Sequence, residues 1–415
     1  MNEYTPSKGL SWNTHALLTY AALQSQRARL LETECLVTGL EDFLSAASSS
    51  LHRIIQWYSR LLDCNRDKSI STSVPPSDIR TVDQFVEALK IRPDYSIRYV
   101  KVVSPDAVPS KMAHDPSRLG PPGGSYIDTE YQERVSALDI LATFSDEPDW
   151  GMDQGLFLIE RYGYGTIPYG GESGLSSQAP FHMAFLWENP LIVKVLPWLQ
   201  LSFLEARARI FFVLAQLAFD HDVPYWGWRF NAWAMHYLQD LTQPYHARAF
   251  PLPLFSVLHP SMLLGGLRAL VQGTMVRLRN HHSLFEAAVH SVLNDVVKRG
   301  IDHQWLVALA GLGEAHSGSV SSVMKRCSQV PAQLASRIDE TVIRLMSDPR
   351  IDDPSYCLDE DDSYRIDQAL LKAAGHRPEQ FQRVVDLVSG CLVETGRVTR
   401  FSLRRVENSI DQELE

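Results

Sequence analysis

The sequence predicts an all-α protein. Strand-like alternation is scarce along its 415 residues, while apolar residues recur at helical spacing. Glycine and proline gather in a few irregular passages, notably residues 104–130 and 146–180, and leave long uninterrupted helical stretches between them. Apolar residues make up 45% of the chain, enough to bury a sizeable core, so one large helical domain accommodates this length as well as two or three average ones.

In order along the chain, residues 13–63 read as two long helices around a break at TGLEDF, and residues 72–78 as a linker. A short helix over TVDQFVEALK and a strand over SIRYVKVV follow. The Pro- and Gly-rich stretch 104–130 is a long loop, residues 132–144 a helix, and residues 146–180 an irregular Gly-rich passage. Residues 201–219 are apolar on nearly every face, which predicts a buried helix. The next helix ends before Pro244. Residues 261–278 carry Leu264, Leu267, Val271, Met275 and Leu278 on one face, opposed by Arg268, Gln272, Arg277 and Arg279. The tail adds about three helices, one over 379–394, and the acidic run LDEDDS at 358–363 reads as a solvated loop. This divides the chain into a helical catalytic region, residues 1–295 with an insertion at about 65–130, and a helical extension, residues 296–415, packed on it or forming a small second domain.

Composition removes several function classes. The net charge of −10 argues against holding a long nucleic acid by charge, so no stable nucleic-acid partner is expected. The five cysteines form no C-x-x-C pair, which speaks against a thiolate zinc site and a disulfide framework. No apolar leader and no 18-residue apolar run is visible, so export by a signal-independent route or a cytoplasmic life is expected. There is no Walker loop, no dinucleotide fingerprint, and GESGL lacks the last glycine of a nucleophile elbow. The oligomeric state is not legible.

Histidines next to carboxylates are what stand out. His236 and Asp240 are four apart on a helix and share a face; Pro244 then turns the chain, so that His246 swings back toward the same place. His282 and Glu286 repeat the spacing, with His281 about 100° away around the helix. Asp146, Asp149 and Asp153 precede the Gly-rich passage, His182 follows a proline at a helix start, and His15 lies in a first turn. Each alone reads as an ordinary structural residue, with Asp149 and Asp153 as helix-capping or loop carboxylates. Together they form a nitrogen and oxygen donor set suited to catalytic zinc and too large for one tetrahedral ion.

The segments HYLQDLTQPYHA and HHSLFE resemble signature segments of the zinc-dependent phospholipase C and single-strand nuclease superfamily. The resemblance covers residues 10–290 and leaves the last 125 unexplained. It implies a multi-helical phospholipase C/zinc nuclease-like bundle with two or three Zn2+ at the bottom of a cleft. One ion would be held by Asp146, His182, His236 and Asp240, and a second by His246, His282 and Glu286. A third would lie between the bridging Asp240, His15 and Trp12. The family's tryptophan is the first residue of the mature chain, whereas Trp12 is internal; the chain is trimmed before it, or this site is altered, or it is empty. The resemblance further implies that a zinc-activated water attacks phosphorus, with Asp146 or another acid of 146–153 as general base. Glu286 at the last ligand position is similar to the phospholipase branch. The expected activity is therefore a phospholipase C releasing diacylglycerol and a phosphorylated head group from phosphatidylcholine-like lipids, with transient bilayer contact through residues 250–278. The alternatives are a zinc single-strand nuclease and a non-catalytic helical binding protein with structural metal.

Overall fold

A computed structural model describes residues 14–64, 79–92, 100–102, 126–153, 156, 178–251, 266–311, 313–356, 358, 366, 369–370 and 372–406. Trp12, the long loop, the GESGL segment, residues 252–265 and nearly all of the acidic run lie outside them. The helices are α1 (His15–Ala22), α2 (Arg27–Glu32), α3 (Leu40–Cys64), α4 (Val82–Ala88), α5 (Ala137–Ser145), α6 (Ala179–His182), α7 (Pro190–Val195), α8 (Leu204–Asp220), α9 (Pro224–Asp240), α10 (Pro244–Ala247), α11 (Gly266–Arg299), α12 (Gln304–Gly311), α13 (Val320–Cys327), α14 (Gln329–Met346) and α15 (Pro378–Arg405). Four three-residue strands form two antiparallel pairs, β1 (Glu34–Leu36) with β4 (Arg134–Ser136) and β2 (Val100–Val102) with β3 (Tyr126–Asp128). The described residues are mostly helical, as an all-α class requires. The first predicted helix is broken, since a 3-10 turn at Gln24–Gln26 and β1 divide residues 15–36.

Helix α9 is the axis of the structure. Pro224 opens it, where a missing N–H costs nothing, and almost every later residue is buried. Trp226, Phe230, Trp233 and Tyr237 recur at helical spacing as one aromatic stripe; Phe230 packs edge-on against Phe43 of α3 at 5.1 Å, and Trp233 against Phe211 of α8 at 4.9 Å. The neighbouring stripe, Arg229, His236 and Asp240, is polar and equally buried. Burying it requires partners from elsewhere in the chain, and these build the site described below.

The C-terminal helices are not a separate unit. A second core joins Leu17, Leu18, Ala21 and Ala22 of α1 to Leu284 and Phe285 of α11, Trp305 of α12, Ile338 and Val342 of α14, and Val388 and Leu392 of α15. The expected boundary at 295/296 falls inside the continuous helix α11. One cause is that α1 alone is too short and apolar to face water, so the extension covers its outer side. Arg277, expected on a solvent or bilayer face, instead turns inward and pairs with Asp352 at 2.6 Å.

Where α15 crosses α12, Gly396 is required. A Cβ there would stand 2.1 Å from the Leu309 carbonyl oxygen. Gly396→Ala is expected to cost about 1–3 kcal/mol, read as a lower urea midpoint. Gly375→Ala, with nothing within 4 Å of the added atom, is expected to leave the midpoint unchanged or raise it slightly.

Candidate metal centre

Local structure brings the donors together. Ser136 caps α5, accepting from the Asp139 amide at 3.1 Å. Beyond α5 comes the 3-10 turn Glu147–Trp150, which Glu147 fastens to α9: it accepts from Arg229 Nε at 2.8 Å and from Trp233 Nε1 at 2.6 Å. The Arg229 guanidinium lies 4.0 Å over the Phe144 ring, so this charge pair is fully enclosed. Gly151, at φ 106°, reverses the chain in a conformation other residues avoid. The turn thereby presents Asp149 to one side and Asp153 to the other. At the far end of α9, Gln243 caps α10, accepting from the His246 amide at 3.2 Å, and sets His246 facing Asp240.

Asp240 is the centre, 3% exposed. Its Oδ2 lies 3.0 Å from His182 Nδ1 and 3.1 Å from His236 Nε2. Its Oδ1 lies 2.9 Å from His246 Nδ1 and 3.6 Å from His15 Nε2. Asp149 is divided in the same way. Its Oδ1 is 3.4 Å from His182 Nδ1 and 3.7 Å from His236 Nε2, while Oδ2 is 3.7 Å from His15 Nε2. A third set stands beside these: His246 Nε2 is 3.1 Å from His282 Nε2, which is 2.6 Å from Glu286 Oε1.

Three groups among the described residues can hold a metal ion: His15, His236 and Asp240; Asp149, His182 and His236; and His246, His282 and Glu286. The separations, 2.6 to 3.7 Å, bracket the ~3.3 Å edge of a tetrahedron with ~2.0–2.1 Å bonds. The first two groups share His236, whose Nδ1–H donates to the Ser145 carbonyl at 2.7 Å. Its Nε2 lone pair therefore serves one ion only. In the consistent division, His182, His236, Asp149 and Asp240 would hold one ion, and His15 with the other oxygens of Asp149 and Asp240 would hold the next.

This corrects the sequence reading at one ligand. Asp146 is not in the donor groups; its Oδ1 accepts from the Ala16 amide at 3.0 Å and caps α1 from outside. Asp149 takes the position expected for Asp146. The Asp146 carboxylate is 1% exposed. His15, His182, His236, Asp240, His246, His282 and Glu286 are brought together, and Trp12 lies outside the described residues. His281 faces the other way, 2.7 Å from Asp339 and 3.1 Å from Asp352.

Residues missed in the sequence hold the ligands. Asp153 Oδ2 is 3.2 Å from His182 Nε2, so His182 offers Nδ1 to the cluster. Asp153 is in turn held by Tyr237 Oη at 2.6 Å and Arg207 at 2.5 Å, both buried. Arg207 spans to Lys90 O at 2.6 Å and Tyr58 Oη at 2.9 Å. Gln239 Oε1 faces His15 Nδ1 at 2.8 Å. One signal was present in the sequence: Arg207 sits among Leu204, Phe211 and Leu214 on an otherwise apolar helix face, where an arginine needs a buried acid.

As side chains alone, the cluster retains protons. Burial opposes charge on His15, yet Asp240, Asp149 and Asp146 raise it to about 9. Burial, with Asp240 and Asp146, pushes Asp149 up to about 8 against His182 and His15. Burial and the neighbouring His15 lower His236 to about 3. Burial works against ionising Asp240, but the surrounding histidines hold it well below the usual carboxylate range. Burial pushes the Cys391 thiol up, and no thiol stands among the donors.

In comparisons with known proteins, no family model, no curated protein and no solved structure matches the chain.

Raised values on His15 and Asp149 mean that a cation must displace their protons. The sign is fixed: below about pH 8 protons compete, and above about pH 9 they do not. Divalent-ion affinity is expected to rise from pH 6 to pH 9 with net proton release, measured by calorimetry in buffers of different ionisation enthalpy. A flat profile contradicts the assignment.

Proposed function

We propose that the chain is a zinc-dependent phosphodiesterase of the phospholipase C type, with the multi-helical fold of the phospholipase C/zinc nuclease superfamily. The observation that carries the reading is Asp240, whose two oxygens each face a different pair of imidazoles, with Asp149 divided likewise. A buried carboxylate facing four imidazoles is poorly served by protons alone and well served by two cations. Nitrogen and oxygen donors without sulfur suit zinc at a catalytic site. Bound zinc ions would polarise a phosphoryl group and make a water at the site more acidic.

The chain's own residues then have distinct tasks. His236, at 0% exposure, and Asp240 form the closed floor. The side chains of Asp149, Glu286 and His282 are 16%, 12% and 20% exposed, the most open donors and the ones a substrate reaches. That open edge favours a catalytic site over a structural one, which is closed on all sides. The general base is proposed among the acids of residues 146–153. The substrate proposed is a phosphatidylcholine-like lipid yielding diacylglycerol and a phosphorylated head group. Bilayer contact by residues 250–278, without Arg277, belongs to the same proposal. Among the described residues no helix is long and apolar enough to cross a membrane.

Purified protein is expected to carry two or three zinc ions per chain by mass spectrometry, and to release head groups from phosphatidylcholine vesicles. EDTA should abolish release and Zn2+ restore it. Asp240→Asn and Asp149→Asn should lose metal and activity together. Asp146→Ala should keep its metal and lose only about 1 kcal/mol of stability, as for a lost helix cap. Full activity in Asp240→Asn contradicts the proposal; cleavage of single-stranded DNA with no lipid hydrolysis assigns the site to the nuclease branch.

A further inference from the structure

We infer that Gln239 sets the tautomer of His15, and that Thr399 of α15 sets Gln239, making the last helix of the chain a positioning part of the metal centre. The inference rests on the reading of His15 as a ligand and extends it to a residue 384 positions away, in the region the family resemblance leaves unexplained.

The argument follows the protons. The Gln239 amide nitrogen lies 2.9 Å from Thr19 Oγ1 and 2.9 Å from Thr399 Oγ1. Each hydroxyl has one hydrogen, and both hydrogens are committed elsewhere. Thr399 donates to the Thr395 carbonyl at 2.7 Å, within its own helix. Ser145 Oγ donates to the Ala142 carbonyl at 2.9 Å, so at its 3.1 Å contact with Thr19 it is Thr19 that donates. Thr19 and Thr399 can therefore only accept from Gln239. A flipped amide would set its oxygen against two oxygens with no hydrogen between them.

The rest follows in order. The amide nitrogen faces the threonines, so Oε1 faces His15 at 2.8 Å. Nδ1 of His15 must then carry the hydrogen. Nε2 is left with its lone pair toward Asp240 Oδ1 and Asp149 Oδ2, 3.6 and 3.7 Å away. In the other neutral tautomer an N–H would point at the bridging carboxylates and no donor pair would remain there. Thr19, Gln239 and Thr399 are at most 2% exposed, so bulk solvent does not compete for these bonds. A second tie from the same helix, Thr395 to Thr242 at 2.7 Å, holds the end of α9 beside them.

The test uses full-length protein labelled with 15N-histidine and titrated with Zn2+. In the wild type, the His15 spectrum is expected to show a protonated Nδ1 and a metal-bound Nε2. Gln239→Leu should weaken zinc at the His15 position roughly 10–100-fold, as for other partners of metal-bound histidines. Thr399→Val, which keeps shape and removes the hydroxyl, should weaken it less and broaden or split the His15 signals. Thr399→Ser should restore both. The His282 signals report a separate group and serve as the folding control, expected to be unchanged throughout. If Thr399→Val leaves zinc affinity and the His15 signals as in wild type, the inference is overturned and the metal reading stands. If wild-type protein takes up no zinc at His15, both fall.

Discussion

The structure turns on the burial of two carboxylates among four imidazoles. Asp240 and Asp149 lie among His15, His182, His236 and His246, and their oxygens are divided between two positions. Such an arrangement is costly in a folded core unless protons or cations balance it. The shifted acidities of His15 and Asp149 are that cost expressed as retained protons. What surrounds the cluster is organised to hold these side chains in place: an aromatic stripe on α9, a turn tied down by Glu147 and Arg229, and a pair of buried supports in Arg207–Asp153 and Gln239.

The ligands are fixed with more support than a surface metal site receives. His236 is set by a backbone carbonyl, His182 by Asp153, and His15 by Gln239. Each outer partner leaves one ring nitrogen for the centre. The supports come from α1, α5, α8, α9 and α15, so that residues of the hydrophobic cores lie against the metal groups. Tyr245 illustrates this: it belongs to the second core, stacks on His282 at 5.5 Å and bonds Asp339 at 2.5 Å. Stability and site geometry are consequently coupled across the length of the chain.

Much of the centre was legible in the sequence because it is local. His236 with Asp240, and His282 with Glu286, are neighbours by helical pitch alone, and Pro244 announced the turn that returns His246. The all-helical class was legible from periodicity. What was not legible depends on distant partners. Asp146, Asp149 and Asp153 lie in a turn whose shape is set by an ion pair between residues 82 apart, so spacing could not say which acid faces the histidines. Gln239 and Thr399 act through contacts that no local pattern encodes. Which way the extension packs was not legible for the same reason, since its apolar faces pair with α1 at the opposite end of the chain.

The most direct measurement is anomalous diffraction at the zinc edge from crystals of the full chain. The account predicts two peaks sharing Asp149 and Asp240, one beside His182 and His236 and the other beside His15, with a third at His246, His282 and Glu286. An ion coordinated by Asp146 with Asp149 turned away, or no anomalous density among these residues at saturating zinc, would contradict it.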